Sequence, residues 1–180
     1  MKFLGIILLA VGASVLYGIL HDQITVRVCL EYFTVGHPMI IESESPTLLA
    51  IAWGIVATWW MGLLLGLPLA LCCCAGPAPA IGPRELLKPV AYLLLLMATL
   101  ALISGIAGFQ AARSGMVTLL PSLADRIPPA RHAAFIADLW AHLASYASGF
   151  LGGVVLCARS VVLRQRQWRS RRESHPLPPP

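Results

Sequence analysis

Four long apolar stretches separated by shorter polar ones organise this chain. They cover residues 3–20, 48–75, 89–112 and about 133–158, and the first three contain no charged residue. A helix needs about 20 predominantly apolar residues to cross a hydrocarbon core of roughly 30 Å, because backbone amides there must be bonded within the segment. The pattern therefore predicts four spanning helices, at about 3–20, 48–75, 89–112 and 130–163. The expected fold is an all-α membrane protein, a four-transmembrane-helix bundle forming a single domain over residues 1–173.

The segment 21–47 has a different rhythm. Ile24, Val26, Val28 and Leu30 alternate with Thr25, Arg27, Cys29 and Glu31, a period of two that predicts strand. Gly36, His37 and Pro38 interrupt it, and 39–41 supplies a second apolar piece, so a small β-hairpin-like segment is expected. That hairpin would bury Ile24, Val26, Val28 and Leu30 against the helix ends, with Arg27 and Glu31 facing away. Ser45, Pro46 and Thr47 suit a helix start, with a capping hydroxyl and proline in the first turn. Glu42 and Glu44 lie just upstream, where the helix dipole favours negative charge. Residues 76–83 read as a linker and 114–129 as the second long connection, with Pro128 and Pro129 opening the fourth helix. The Pro-rich tail 174–180 reads as disordered.

Composition changes the solvent. With 58% hydrophobic and 12% charged residues, the chain is too apolar for a water-facing surface, and a lipid-facing one explains the imbalance. The first stretch follows Lys2 as a secretory signal would, but it lacks a small-x-small cleavage site before His21 and is read as a retained helix. Nine Lys and Arg fall on the side of the termini and of the 76–88 connection, against Arg27, Arg113, Arg126 and Arg131 on the other. Cytoplasmic segments hold such an excess, so both termini are expected inside. Six of the thirteen basic residues lie within fourteen positions from Arg159 to Arg172. This reads as a juxtamembrane anchor in which Arg164, Arg166, Arg169, Arg171 and Arg172 meet anionic phospholipid, with Trp168 in the interface, and not as a nucleic-acid surface.

Cysteines and glycines add little. Cys72, Cys73 and Cys74 with Cys157 fall at the inner end, and Cys29 alone at the outer, so no disulfide framework is expected. The triple cysteine suits acylation, a soft metal, or simple packing. Gly62 with Gly66 and Gly149 with Gly153 mark faces where helices approach closely.

Arg131, Asp138, His142, Ser145 and Gly149 recur at intervals of seven, four, three and four, placing them on one helix face. Ionisable groups in such segments face a bundle interior or a wet cavity. Topology brings His21, Asp22, His37, Asp138 and His142 to the same side, and that imidazole and carboxylate set suits zinc or a similar divalent ion. His142, Asp138, Glu31 and Arg131 are the candidates for catalytic work. An i,i+4 pairing of Asp138 with His142, with Arg27 and Arg131 neutralising carboxylates, accounts for the same residues without chemistry. No HExxH, phosphate loop, nucleophile elbow or redox CxxC is present.

The runs HDQITVRVCLEYFTVGHP, IESESPTLLAIAWGIVATWW and FIADLWAHLASY resemble a group of uncharacterised bacterial membrane proteins with four predicted helices, over most of residues 20–155. The shared feature is an HDQITxRxxxEYFTxGHP-type first outer loop. The resemblance implies a multi-pass protein of the bacterial inner membrane and carries no activity. A stranded first outer loop within four helices is also similar in layout to claudins, without their W, GLW and paired-cysteine pattern. The expected role is a structural or accessory component acting through another membrane protein. The alternatives are a membrane-embedded metal-dependent enzyme, hydrolase-like, with an outward-facing site, or a small transporter or channel subunit.

Overall fold

The structure, a computed structural model, describes residues 1–174. It is all-helical, and among the described residues there is no strand. Its elements are α1 (Lys2–Val28), α2 (Leu30–Thr34), α3 (Pro46–Val56), α4 (Trp59–Cys74), α5 (Pro83–Arg113), α6 (Pro121–Ala124) and α7 (His132–Ser174), with a 3₁₀ turn at Pro129–Arg131 leading into α7. Four helical stretches are long and apolar enough to cross a membrane: Lys2–Val28, Pro46–Cys74, Pro83–Arg113 and Pro129–Glu173. Between 11% and 22% of each apolar window is buried inside the protein. Leu8, Leu95, Leu102, Leu151 and Val155 are all more than 60% exposed, an outer surface suited to hydrocarbon.

The β-hairpin reading of 21–47 is corrected. Residues 24–28 continue α1, and α2 follows after a single extended residue, Cys29. Asp22, Thr25, Val26 and Cys29 are all buried, and their spacing of three, one and three is a helical face. The alternation of apolar and polar residues obscured that face because the helix's inner side carries Asp, Thr and Cys. Ile24 and Val28, expected inside, are 68% and 41% exposed, one turn apart on the outer side of the same helix.

Helix bounds differ as well. His21 and Asp22 lie within α1 rather than after it. The second span is interrupted between α3 and α4, where the Tyr146 hydroxyl donates to the Ala57 carbonyl at 3.3 Å. The third begins at Pro83, six residues before Pro89, and the Glu85 carboxylate accepts from the Gly82 amide at 2.7 Å, one half of a capping box. Ser45 precedes α3 as expected, but its side chain makes no capping bond. Arg27 on α1 instead donates to Thr47 Oγ1 at 2.9 Å. Ser174 closes α7, and residues 175–180 of the tail lie outside the described residues.

α1 packs along α3 and α4, α5 packs along α7, and α4 with α7 joins the two pairs. One apolar core sits at the histidine end around Val26, Tyr32, Phe33, Leu49, Phe135 and Ile136. A second sits at the arginine end around Ile6, Leu69, Leu86 and Leu156. There Arg164, 6% exposed, donates to the carbonyls of Cys72, Ala78 and Pro79 and holds the 75–82 connection against α7.

Glycine makes the α1 packing possible. A Cβ on Gly54 would lie 2.5 Å from the Ile19 amide nitrogen, and one on Gly62 2.7 Å from Val11 Cα. Both clashes are with backbone, which cannot swing aside. Gly54→Ala should destabilise the detergent-solubilised protein by about 1–3 kcal/mol, the cost of overpacking. Gly12, with nothing within 4 Å of a built Cβ, is the control, and Gly12→Ala should leave thermal unfolding unchanged or slightly improved. Equal behaviour of the two variants would contradict the packing described.

Candidate functional site

The site is built by α1 and α7 near the histidine end. Tyr17 and His21 are four residues apart on α1, so their rings stack, with centroids 5.6 Å apart. His142 faces them from α7, its ring edge-on to His21 at 4.6 Å and stacked on Tyr32 at 4.6 Å. Its Nδ1 lies 2.7 Å from the Asp138 carbonyl oxygen. A carbonyl only accepts, so Nδ1 carries a proton and donates it there. Nε2 is thereby turned toward Asp22 Oδ1, at 3.2 Å. His21 Nε2 is buried with no hydrogen-bond partner.

One ligand atom from each of His21, Asp22 and His142 lies within 4.8 Å of the others. In the neutral imidazole of His142 the Nε2 lone pair faces a carboxylate oxygen, an unfavourable contact unless something positive lies between or upon them. A proton shared between Asp22 and His142 meets that need, giving the buried ion pair. A cation held by all three groups meets it while also engaging His21.

Three of the five residues expected to hold a metal thus converge. His37 lines the same cavity, with Nδ1 donating to the Tyr32 carbonyl at 2.8 Å and its ring 4.9 Å from Trp53, but it is not among the groups whose ligand atoms lie within 4.8 Å of one another. Asp138 is 2% exposed, with Oδ2 unpartnered, and it does not line the cavity. Its contribution to the cluster is the backbone carbonyl that accepts from Nδ1 and so orients the His142 ring.

Glu31 and Arg131 lie apart from this cluster and pair with each other. Arg131 Nε is 3.0 and 3.2 Å from the two Glu31 oxygens, and its Nη2 donates to the Val28 carbonyl at 2.9 Å. The Cys29 thiol donates to Glu31 Oε2 at 3.3 Å. The pair ties the end of α1 and the start of α2 to the approach to α7. Burial pushes the Cys29 thiol up to about 12 and raises the Tyr32 phenol as well, so neither ionises near neutral pH. Arg27 serves α3 rather than a carboxylate.

Sequence reasoning placed Ser145 on this face but missed the aromatic groups around the histidines. Tyr17 donates to or accepts from Ser145 at 2.8 Å, and Tyr32, Trp53 and Tyr146 line the same cavity. A signal was present: Tyr17 and His21 are related by i,i+4, and so are His142 and Tyr146. From the cluster a cavity of about 140 Å³ runs between the helices toward Leu69 and Leu156. No protein-family model matches the chain, and neither the curated proteins nor the solved structures contain a match.

Burial pushes the Glu31 carboxyl upward, but bonds from its own amide and from the Arg131 guanidinium outweigh this and hold it below its ordinary value of 4.5. Its contribution is therefore complete above about 4.5 and is lost as pH falls through the lower folded value. Glu31→Gln should lower the Tm at pH 7 by about 2–4 °C or less, since a partly exposed pair is worth up to about 1 kcal/mol. The gap between variant and wild type should close in acid. A gap that persists unchanged below pH 3 would sink the ion-pair assignment.

Proposed function

We propose that this is a multi-pass membrane protein carrying a three-ligand divalent-metal centre of the hydrolytic type, with His21, Asp22 and His142 as the ligands. The observation that carries the reading is the forced tautomer of His142. With Nδ1 donating to the Asp138 carbonyl, Nε2 is presented beside Asp22 and the unpartnered Nε2 of His21. Two imidazole nitrogens and a carboxylate oxygen form the donor set of catalytic zinc, where a fourth position is left for water. An ion held by these residues would supply a water acidic enough to act as a nucleophile near neutral pH. In hydrolysis the water's hydroxyl would go to an acyl or phosphoryl centre and its other hydrogen to the leaving alcohol.

The four apolar spans support a membrane address, and the excess of Lys and Arg beside the termini supports cytoplasmic termini. In that orientation the metal centre belongs to the outer half of a bacterial inner membrane, and Arg166, Arg169, Arg171 and Arg172 meet anionic phospholipid, whereas Arg164, expected among them, is buried against loop carbonyls.

The competing roles draw less support. An accessory subunit would dock through small residues on its lipid face, yet Gly62 and Gly66 pack against α1, Gly149 against Met97 and Gly153 against Leu65. Conduction by a monomer needs a polar path, whereas the cavity beyond Ser145 is bounded by Leu65, Leu69, Leu93, Met97 and Leu156.

Elemental analysis of protein purified in mild detergent should find close to one zinc-class ion per chain. His142→Ala and Asp22→Asn should each weaken zinc binding by more than about tenfold, since each removes a direct ligand. Folded protein that binds no zinc, or variants that bind it as the wild type does, would reject the centre. Glu31→Gln should keep its metal.

A further inference from the structure

The cavity leading from the cluster changes character along its length. At the histidine end it meets His21, Asp22, His37 and His142, and at the other end Leu69, Val90, Leu93 and Leu156. Along the way the hydroxyls of Tyr17, Ser145, Thr58 and Tyr146 are each engaged within the protein. They therefore do not build a continuous polar track. Below the aromatic Tyr32, Phe33 and Trp53 the wall includes small and flexible residues such as Ala13 and Met97, and an unbranched thioether adapts to a flexible occupant.

His142 and Leu156 both line the cavity from α7. They are fourteen residues apart, or about 21 Å at about 1.5 Å per residue. That exceeds half of a hydrocarbon core of roughly 30 Å, so a chain descending from one leaflet's polar boundary fits its length. An occupant matching this shape is polar at one end and a slender hydrocarbon for the rest.

We propose that the site takes an amphiphile, a lipid whose acyl chain lies in the cavity and whose hydrolysable head-group linkage sits at His21, Asp22 and His142. The placing of the linkage rests on the metal-centre reading, and the seating of the chain rests on the cavity. Water adds across the ester bond, oxygen to the acyl or phosphoryl side and hydrogen to the departing alcohol, with no further co-reactant.

The test uses the full chain in nanodiscs with palmitoyl lysophosphatidylcholine as the probe and its hexanoyl counterpart as the short-chain control. Binding is followed by native mass spectrometry and by quenching of Trp53 with a brominated chain, Trp53→Phe giving the background. The wild type should take up one palmitoyl lipid and bind the hexanoyl lipid at least about tenfold more weakly. Ala13→Phe and Val90→Phe, which fill the cavity at two levels, should each weaken palmitoyl binding by about tenfold or more, the worth of roughly two displaced methylenes. Both should keep their zinc. His142→Ala should lose zinc yet keep the chain, so failure of the metal reading and failure of the chain reading are told apart. No palmitoyl binding, equal binding of the two chain lengths, or wild-type binding by both filled variants would overturn the proposal.

Discussion

Two imidazoles and a carboxylate drawn within 4.8 Å of one another inside the bundle form the constraint around which the rest of this molecule is arranged. The Asp138 carbonyl takes the Nδ1 proton of His142, and Asp22 receives the other face of that ring at 3.2 Å. His21 arrives with a bare, buried Nε2. Such an assembly is costly unless positive charge resides in it.

The surrounding fold holds the three groups in place. α1 carries two of them, and its position is fixed by backbone approaches at Gly18, Gly54 and Gly62 that leave no space for a side chain. α7 carries the third, and Arg131 ties its approach to Glu31 and to the Val28 carbonyl at the end of α1. Tyr32 covers the His142 ring, and Ser145 meets Tyr17 one turn further along. At the arginine end, Arg164 closes the bundle through three loop carbonyls. His142 and the arginine cluster thus lie toward opposite ends of α7.

Much of this was legible in the residues. Uninterrupted apolar runs made the four long helices plain, because hydrocarbon leaves a backbone few alternatives. The face shared by His142, Ser145 and Gly149 was readable from its spacing, and all three line the cavity. The segment after His21 was not read correctly. Its buried face mixes Asp22 and Thr25 with Val26 and Cys29, so apolar periodicity pointed to a strand where tertiary packing imposes helix. The division of the candidate ligands was not legible either. His37 and Asp138 have the right chemistry, but the first lies outside the 4.8 Å grouping and burial behind the cavity wall removes the second. Sequence spacing shows which residues share a face, and says nothing of which carbonyl lies beside each ring.

Zinc K-edge X-ray absorption on the zinc-loaded, detergent-solubilised protein tests the central claim most directly. A three-ligand centre gives a low-coordinate shell of nitrogen and oxygen at about 2.0–2.1 Å, with outer-shell scattering from two imidazoles that falls to one in His21→Ala. A six-oxygen shell like that of hydrated zinc, or a spectrum indifferent to loss of His21, would contradict it.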